Sequence, residues 1–228
     1  KDKEYLVIAK LGFMSTTGDE EGIITPTNKD VQLALSSKSL SRVLDSFLGK
    51  QKQIPPMYSG LKINGIKLYK LARQGINVDR KPRDINILGI ELISVNNNEI
   101  EIKVSCSKGT YIRTLIEAIG TKIGVGAYTK ELRRLRVGSF DEKNMVLIDD
   151  IKKVDDHIIP LEMMIGEMKS ITITEEELKT LRYGQIVYTK KYMNIDEIAI
   201  KNQNSNLVGI GAIINNYIYI KRLMNFDE

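Results

Sequence analysis

The chain has 228 residues, 42% of them hydrophobic and 28% charged, and 34 Lys+Arg against 29 Asp+Glu give a formal net charge of +5. That balance excludes wholesale disorder and allows one large globular domain or two unequal ones. No apolar run approaches the roughly 20 residues that span a bilayer, and a single cysteine and a single histidine exclude a disulfide framework, a Cys-x-x-Cys site and a His-rich metal cluster.

Residues 5–9 form an apolar run that predicts a buried strand almost at the first residue, with no secretory signal before it because Lys1 to Glu4 are charged. Residues 12–22 are polar and punctuated by glycine, which predicts a loop. Residues 33–48 place Leu40, Val43, Leu44, Phe47 and Leu48 at spacings of three and four, so an amphipathic helix is expected, stopped by Gly49. The two prolines in 53–59 make that stretch stiff and extended rather than a central strand. Residues 61–63 and 66–69 flank Asn64-Gly65, the signature of a hairpin on a type I′ turn, and 68–73 continue as a short helix ended by Gly75. Strands are expected at 85–95 and 99–105, the second alternating so strictly that one face is wet. Ile112, Leu115, Ile116, Ile119 and Ile123 then switch to helical spacing up to Gly124.

A boundary near 161–169 divides the chain into 1–165 and 168–228. Thr174 to Glu177 is a capping-box pattern opening a helix that turns Leu178 and Leu181 inward and ends at Gly184. Strands follow at 185–188, 195–201, 207–214 and 217–223, a small β-rich domain that a closed barrel would complete. The expected class is α/β of the α+β type, with a mixed, largely antiparallel sheet and this C-terminal β domain.

Chemistry concentrates at 104–114, where an alternating strand passes into a helix across Gly109. Such junctions bring side chains and helix N-terminal donors to the rim of a sheet, where ligands bind. Tyr111 can stack on a base and Arg113 can clamp a carboxylate through two bonds; the same pair also reads as a core tyrosine and a surface cation. Two basic clusters, Lys130 with Arg133, Arg134 and Arg136, and Arg73 with Arg80, Lys81 and Arg83, are either phosphate-binding or simply solvated faces. Cys106 has no histidine near it in sequence and reads as a buried structural thiol, and His157 as a loop residue. Asp19-Glu20-Glu21 lacks the alternating ligands of a calcium loop and reads as a solvated loop.

Ile54-Pro55-Pro56-Met57-Tyr58-Ser59-Gly60-Leu61-Lys62, with Gly65, Tyr69, Ala72-Arg73 and Gly75, resembles the PPMYSA-K-x-x-G-x-x-x-Y-x-x-AR-x-G block of TruB-type tRNA pseudouridine synthases. Residues 106–114 look like that family's CSKGTYIRT block. Residues 124–140, with Gly126-Ala127, Leu132-Arg133-Arg134 and Val137-Gly138, are similar to its third block, and Lys3-Glu4-Tyr5 with Leu11-Gly12 to its K-x-Y…LG segment. Four blocks in order resemble the stand-alone bacterial enzyme more than its guide-RNA-dependent relatives. The C-terminal piece is similar in place and size to that family's PUA-like RNA-binding domain.

The resemblance implies an isomerase that converts the T-loop uridine of tRNA, position 55, to pseudouridine. The nucleotide is flipped into a pocket and an aspartate is the nucleophile, without metal or cofactor. On matched positions, Tyr5 would stack on the target base close to C5, Tyr111 would bound the pocket, and Leu132 would be its apolar wall. Arg113 would pair with the aspartate and hold it ionised, since an adjacent cation favours the charged form. Lys108, Arg133 and Arg134 would contact the RNA. A cytoplasmic monomer that binds the T-arm of tRNA and no membrane is the expected setting.

The family's G-H-x-G-x-L-D-P block, which carries its aspartate, is not among these residues, and none of Asp2, Asp19, Asp30, Asp45, Asp79 or Asp84 has that context. An absent N-terminal segment, and a chain inactive by itself, are therefore expected. Ser15-Thr16-Thr17 stands where the family has Thr-Asp-Thr, and Tyr128 where it has His, which changes one acidic and one RNA contact. The alternative of a different class is a tRNA-binding or folding module that captures the T loop and releases it unchanged.

Overall fold

The structure, a computed structural model, describes residues 1–34, 37–166, 168–190 and 194–224. Two compact units are present, Lys1–Met145 and Val146–Glu228.

In the first unit the chain forms β1 (Lys3–Leu11), β2 (Phe13–Ser15), β3 (Ile24–Pro26), α1 (Val31–Ala34), α2 (Ser37–Asp45) and β4 (Gly49–Gln53). It continues through β5 (Lys62–Ile63), β6 (Ile66–Lys67), α3 (Leu68–Arg73), β7 (Arg83–Asn96), β8 (Glu99–Cys106), α4 (Ile112–Ile123), β9 (Ala127–Val137) and β10 (Phe140–Asp141). Six strands form one sheet in the order β10-β9-β1-β8-β7-β4, and every neighbouring pair is antiparallel.

Period two sets the inner face. β1 buries Tyr5, Val7, Ala9 and Leu11, and β8 buries Ile100, Ile102, Val104 and Cys106. A slip of one residue would turn either set to solvent, so the register Tyr5 opposite Val104 is strongly fixed. Leu40 and Leu44 of α2 and Leu115, Ile116 and Ile119 of α4 complete this core. Each such side chain contributes about 1.5–3 kcal/mol on burial. On the wet face Glu99 accepts from Lys10 of β1 at 2.7 Å and from Lys130 of β9 at 2.8 Å, which ties three strands together.

α4 ends where Gly124 takes φ +95, its N–H donating to the carbonyls of Gly120 and Thr121. Gly120 itself permits a close approach: a Cβ there would stand 2.3 Å from the backbone N of Ala127. Helix and following strand therefore meet backbone to backbone.

Residues 12–22, expected as a loop throughout, contain β2, which pairs antiparallel with β3. The helix expected over 33–48 appears as α1 and α2, residues 35–36 lying outside the described residues, and Leu48 is exposed. The Asn64-Gly65 hairpin holds, with φ of 50° and 81° at its two turn residues.

The second unit holds short 3-10 turns at Ile148–Asp150 and Asp155–His157, then α5 (Leu161–Ile165), β11 (Ser170–Thr172), α6 (Glu175–Arg182), β12 (Val187–Tyr188), β13 (Asn194–Lys201), β14 (Leu207–Ile214) and β15 (Tyr217–Leu223). α6 opens on the expected capping box: Thr174 Oγ1 accepts from the Glu177 N–H and the Glu177 carboxylate accepts from the Thr174 N–H. Leu178 and Leu181 pack on Ile198, Ile200, Ile213 and Ile218. The strand order is β11-β13-β14-β15-β12, with β11 parallel to β13. The sheet is open rather than a closed barrel among the described residues. Its edge strands, three and two residues long, do not pair with each other.

Candidate active site

Beyond Cys106 the chain turns through Gly109 at φ +86, Thr110 Oγ1 donating to the Ser107 carbonyl at 3.0 Å. Tyr111 is the N-cap residue of α4 in extended conformation, and its own side chain makes no cap. Gln53, buried at the end of β4, braces it instead. The Tyr111 N–H donates to Gln53 Oε1 at 2.8 Å, and Gln53 Nε2 donates to the Tyr111 carbonyl at 3.0 Å. This reciprocal pair fixes where α4 begins, and hence where Arg113 stands.

Arg113 spreads its guanidinium across two loops. Nη1 donates to Asp19 Oδ2 at 2.6 Å and to the Thr17 carbonyl at 3.1 Å, while Nη2 donates to the Tyr58 carbonyl at 2.6 Å. Asp19 is itself held. Its Oδ1 accepts from the Thr17 hydroxyl and from the Glu21 N–H, and its backbone bridges to Thr129 at the start of β9. The carboxylate on Arg113 thus comes from within the chain, in the loop that spacing alone assigned to solvent.

A cleft of ≈ 400 Å³ opens beside this ion pair, lined by Thr17, Glu21, Tyr58, Ser59, Gly60, Tyr69, Arg73, Tyr111 and Arg113. Its volume is in the range of small-molecule sites. Tyr69 and Arg73, one helical turn apart on α3, stack cation on ring at 5.6 Å. Ser59 is buried, and its hydroxyl has no hydrogen-bond partner among the described residues. An unpaired buried hydroxyl in the wall of a cleft is a polar group that a ligand can satisfy. One turn along α4 from Arg113, Glu117 has its carboxyl pushed up by burial, with the Arg113 cation opposing.

Tyr111 and Arg113 share the cleft, with Arg73 of the second basic cluster; Tyr5, Leu132, Lys108, Arg133 and Arg134 do not line it. Tyr5 is 8% exposed in the core, with the Arg134 guanidinium 5.7 Å from its ring centre; burial raises its phenol and Arg134 opposes. Leu132 is 46% exposed on β9, opposite Val7. Lys108 is exposed in the turn before α4. Arg133 is exposed, 3.8 Å from Glu142. Tyr128, which stands where the family resemblance has His, is buried at 6%, because Ala127, Tyr128 and Thr129 all turn into the protein where β9 leaves α4. Cys106 is fully buried and its thiol pushed up by burial, so it is a core residue. His157 sits exposed on a 3-10 turn.

Asp19, Gln53, Tyr58 and Tyr69 were not singled out as site residues. Tyr58 and Tyr69 lie inside the PPMYS and Y-x-x-AR stretches, so their signal was present. The partners of Asp19 and Gln53 lie 94 and 58 residues away, and no local pattern marks them. Among the described residues no helix is long and apolar enough to cross a membrane.

Residues 1–112 match the model of the TruB family pseudouridylate synthase N-terminal domain, and 113–166 that of the tRNA pseudouridylate synthase B C-terminal domain. The chain is 40% identical over 228 residues to tRNA pseudouridine synthase B of Buchnera aphidicola subsp. Schizaphis graminum, covering 93% of this chain and 72% of that protein. It is 34% identical over 235 residues to the protein of that name from Nitrosococcus oceani, covering 100% of this chain and 76% of the relative. Among solved structures, a chain of a Cbf5-Nop10-Gar1 complex superposes with a TM-score of 0.67 at 21% identity, over 97% of this chain and 66% of that one. A chain of an H/ACA RNP bound to a substrate RNA containing 2′-deoxyuridine superposes with a TM-score of 0.65 at 19% identity, over 99% of this chain and 66% of its own length. These superpositions bear on the fold.

Proposed function

The chain belongs to the tRNA pseudouridine synthase B family, whose members isomerise uridine to pseudouridine, and from that premise we propose that it acts on the T-loop uridine of tRNA, position 55. The observation that carries this reading is the Arg113 guanidinium, stretched between Asp19 and the Tyr58 carbonyl on the rim of a cleft of nucleoside size.

In this reading the T loop enters from the side of the basic residues and its uridine is flipped out, at a cost of a few kcal/mol in lost stacking. Tyr69 and Tyr111 bound the base, and the unpaired Ser59 hydroxyl offers it a hydrogen bond. The aspartate of the family's G-H-x-G-x-L-D-P block is the nucleophile, and Arg113 orients it. The bond from C1′ to N1 breaks, the uracil turns, C5 bonds to C1′, the C5 proton is lost and N1 gains one. Tyr5 is a neutral phenol at pH 7, because burial raises it, so it contributes a hydroxyl and a ring face rather than a phenolate.

The non-catalytic alternative has one observation in its favour. Among the described residues, all three bonds from the Arg113 terminal nitrogens go to the chain's own groups, Asp19, Thr17 and Tyr58. Tritium release from tRNA labelled at uridine C5 separates the readings. It is run with the 228-residue chain and with a longer form in which the aspartate block precedes Lys1. Both forms are expected to bind tRNA and only the longer one to release tritium. A longer form that binds tRNA and releases none leaves the binding module; release by the 228 residues alone sinks the assigned nucleophile.

A further inference from the structure

We propose that a second cavity of the first unit, between the β5-β6 hairpin and the residues that lead into β7, is a binding site for a small amphiphilic carboxylate, a free medium-chain monocarboxylate of about ten heavy atoms. The cavity has a volume of ≈ 340 Å³ and shares no lining residue with the cleft at Arg113, so the proposal does not depend on the reading of that cleft.

Part of the lining is aliphatic. Pro55 and Leu68 are buried there, and Leu61 and Ile63 are half-buried on the side of the hairpin. The hairpin is tied down. The Leu68 N–H donates to the Leu61 carbonyl at 2.7 Å and the Tyr69 N–H to the Ser59 carbonyl at 3.1 Å, while Ile63 pairs with Ile66 across the Asn64-Gly65 turn. Arg80 is held as firmly. Its Nη1 donates to the Pro55 carbonyl at 3.1 Å and its Nε to the Val78 carbonyl at 3.2 Å, so backbone rather than an acid fixes this guanidinium. The walls are therefore formed before any ligand arrives, which spares a ligand the cost of ordering them.

Charge supplies the other half of the lining. Lys62, Arg80, Lys81 and Arg83 border the cavity together with one acid, Asp79. Asp84, the next acid along the chain, stands opposite Lys52 in the pairing of β4 with β7. Lys62, Lys81 and Arg83 are exposed, and among the described residues none of them has an acid to pair with. This combination selects the occupant. The phosphates of a nucleic-acid backbone need cations but no hydrocarbon surface, and bases stack on aromatic rings, of which none lines this cavity. A neutral apolar ligand leaves the cations unused. A carboxylate on a short alkyl chain uses both: the chain is buried on the aliphatic lining and the carboxylate meets the cations. The volume equals that of about eleven waters, which suits a chain of about eight carbons and is too small for a whole lipid.

The test follows the leucine and isoleucine methyl resonances of the 228-residue chain as octanoate is added. 1-Octanol and acetate at equal concentration supply the chain without the charge and the charge without the chain. Octanoate is expected to shift the Leu61, Ile63 and Leu68 methyls along one saturating curve, with a Kd on the order of 0.1–1 mM. 1-Octanol and acetate should each bind more weakly by about tenfold or more. Lys62→Glu combined with Lys81→Glu, both at exposed positions, should weaken octanoate binding by about tenfold and leave the other methyl resonances in place, which separates a lost site from a lost fold. 1-Octanol that binds as well as octanoate overturns the proposal, and acetate that does so reduces the site to an adventitious ion only. Shifts that spare the three residues overturn it too, as does a charge-reversed variant that binds like the parent. Displacement of octanoate by a T-arm hairpin would assign the cations to RNA phosphates and sink the separate site.

Discussion

Arg113 and Asp19, 94 residues apart in sequence, meet at 2.6 Å, and the same guanidinium reaches 2.6 Å to the Tyr58 carbonyl on another loop. One planar group therefore sets the spacing of two cleft walls. A lysine ammonium carries the charge but cannot hold that fork.

Arg113→Lys is accordingly expected to lower single-turnover isomerisation by on the order of 10²-fold or more, as when preorganised electrostatics are disturbed. The measurement is made in the form carrying the aspartate block. Equilibrium tRNA affinity should change little. Turnover within about threefold of the parent would remove Arg113 from its role, since that corresponds to only about 0.6 kcal/mol.

Gln53→Met keeps the size of the side chain and deletes both bonds to the Tyr111 backbone. The Tyr111 N–H and carbonyl then lose their partner, at a cost of about 1–3 kcal/mol. The urea midpoint should fall by the corresponding amount, with an unchanged slope. A midpoint equal to that of the parent would mean that the start of α4 is held by something else.

The arginines of β9 divide into two kinds. Arg133 and Arg134 are exposed, the second lying over the Tyr5 ring, whereas Arg136 is half-buried and donates to the Gly138 carbonyl. With about three to five phosphate contacts, the log–log slope of tRNA affinity against salt should be on the order of −2 to −4, and Arg133→Ala should flatten it by up to about one unit. Arg136→Ala should instead show first as a lower melting temperature. An affinity independent of salt removes the phosphate contacts altogether.

Glu117 carries a pH signature. Burial raises its carboxyl in the folded protein, so the native state holds the proton more tightly than the unfolded one. Its effect on stability is then absent below the ordinary carboxylate range, and stability is lost as pH rises through the folded value. Glu117→Gln should therefore raise the melting temperature at pH 8 and have little effect at pH 4. Glu99 runs the other way. Hydrogen bonds from Lys10 and Lys130 lower its carboxyl, so its contribution is present at neutral pH and is lost on acidification below that range. Paired melts of Glu117→Gln and Glu99→Gln from about pH 2 to pH 8 should show opposite slopes relative to the parent. Parallel curves would refute both assignments.

Legibility followed burial. β8 alternates apolar with polar at every step, and its inner face was readable residue by residue, as were α4, α6 and the hairpin at Asn64-Gly65. β4 reads Gly49-Lys50-Gln51-Lys52-Gln53, a polar edge strand whose pairing comes from its neighbour β7 and not from its own pattern. β9 was hidden in the same way, because its basic run from Lys130 to Arg136 reads as surface charge. In the site, Arg113 and Tyr111 stood out because they lie at a strand-to-helix junction. Asp19 did not, since an acid in a glycine-rich loop has the same local context whether it faces water or a guanidinium.

Gly120 gives α4 the mechanics of a lever. The helix is pinned where its backbone touches Ala127, with no room for even a methyl group. Arg113 rides seven residues nearer the N-terminus, about 10 Å along the axis at roughly 1.5 Å per residue. A side chain at the pin that pushed the helix over by about 10° would swing the guanidinium end by nearly 2 Å (about 10 Å of arm), enough to part it from Asp19 or from Tyr58. A residue that touches neither RNA nor any charged group thus sets the angular tolerance of the ion pair at the far end of its helix.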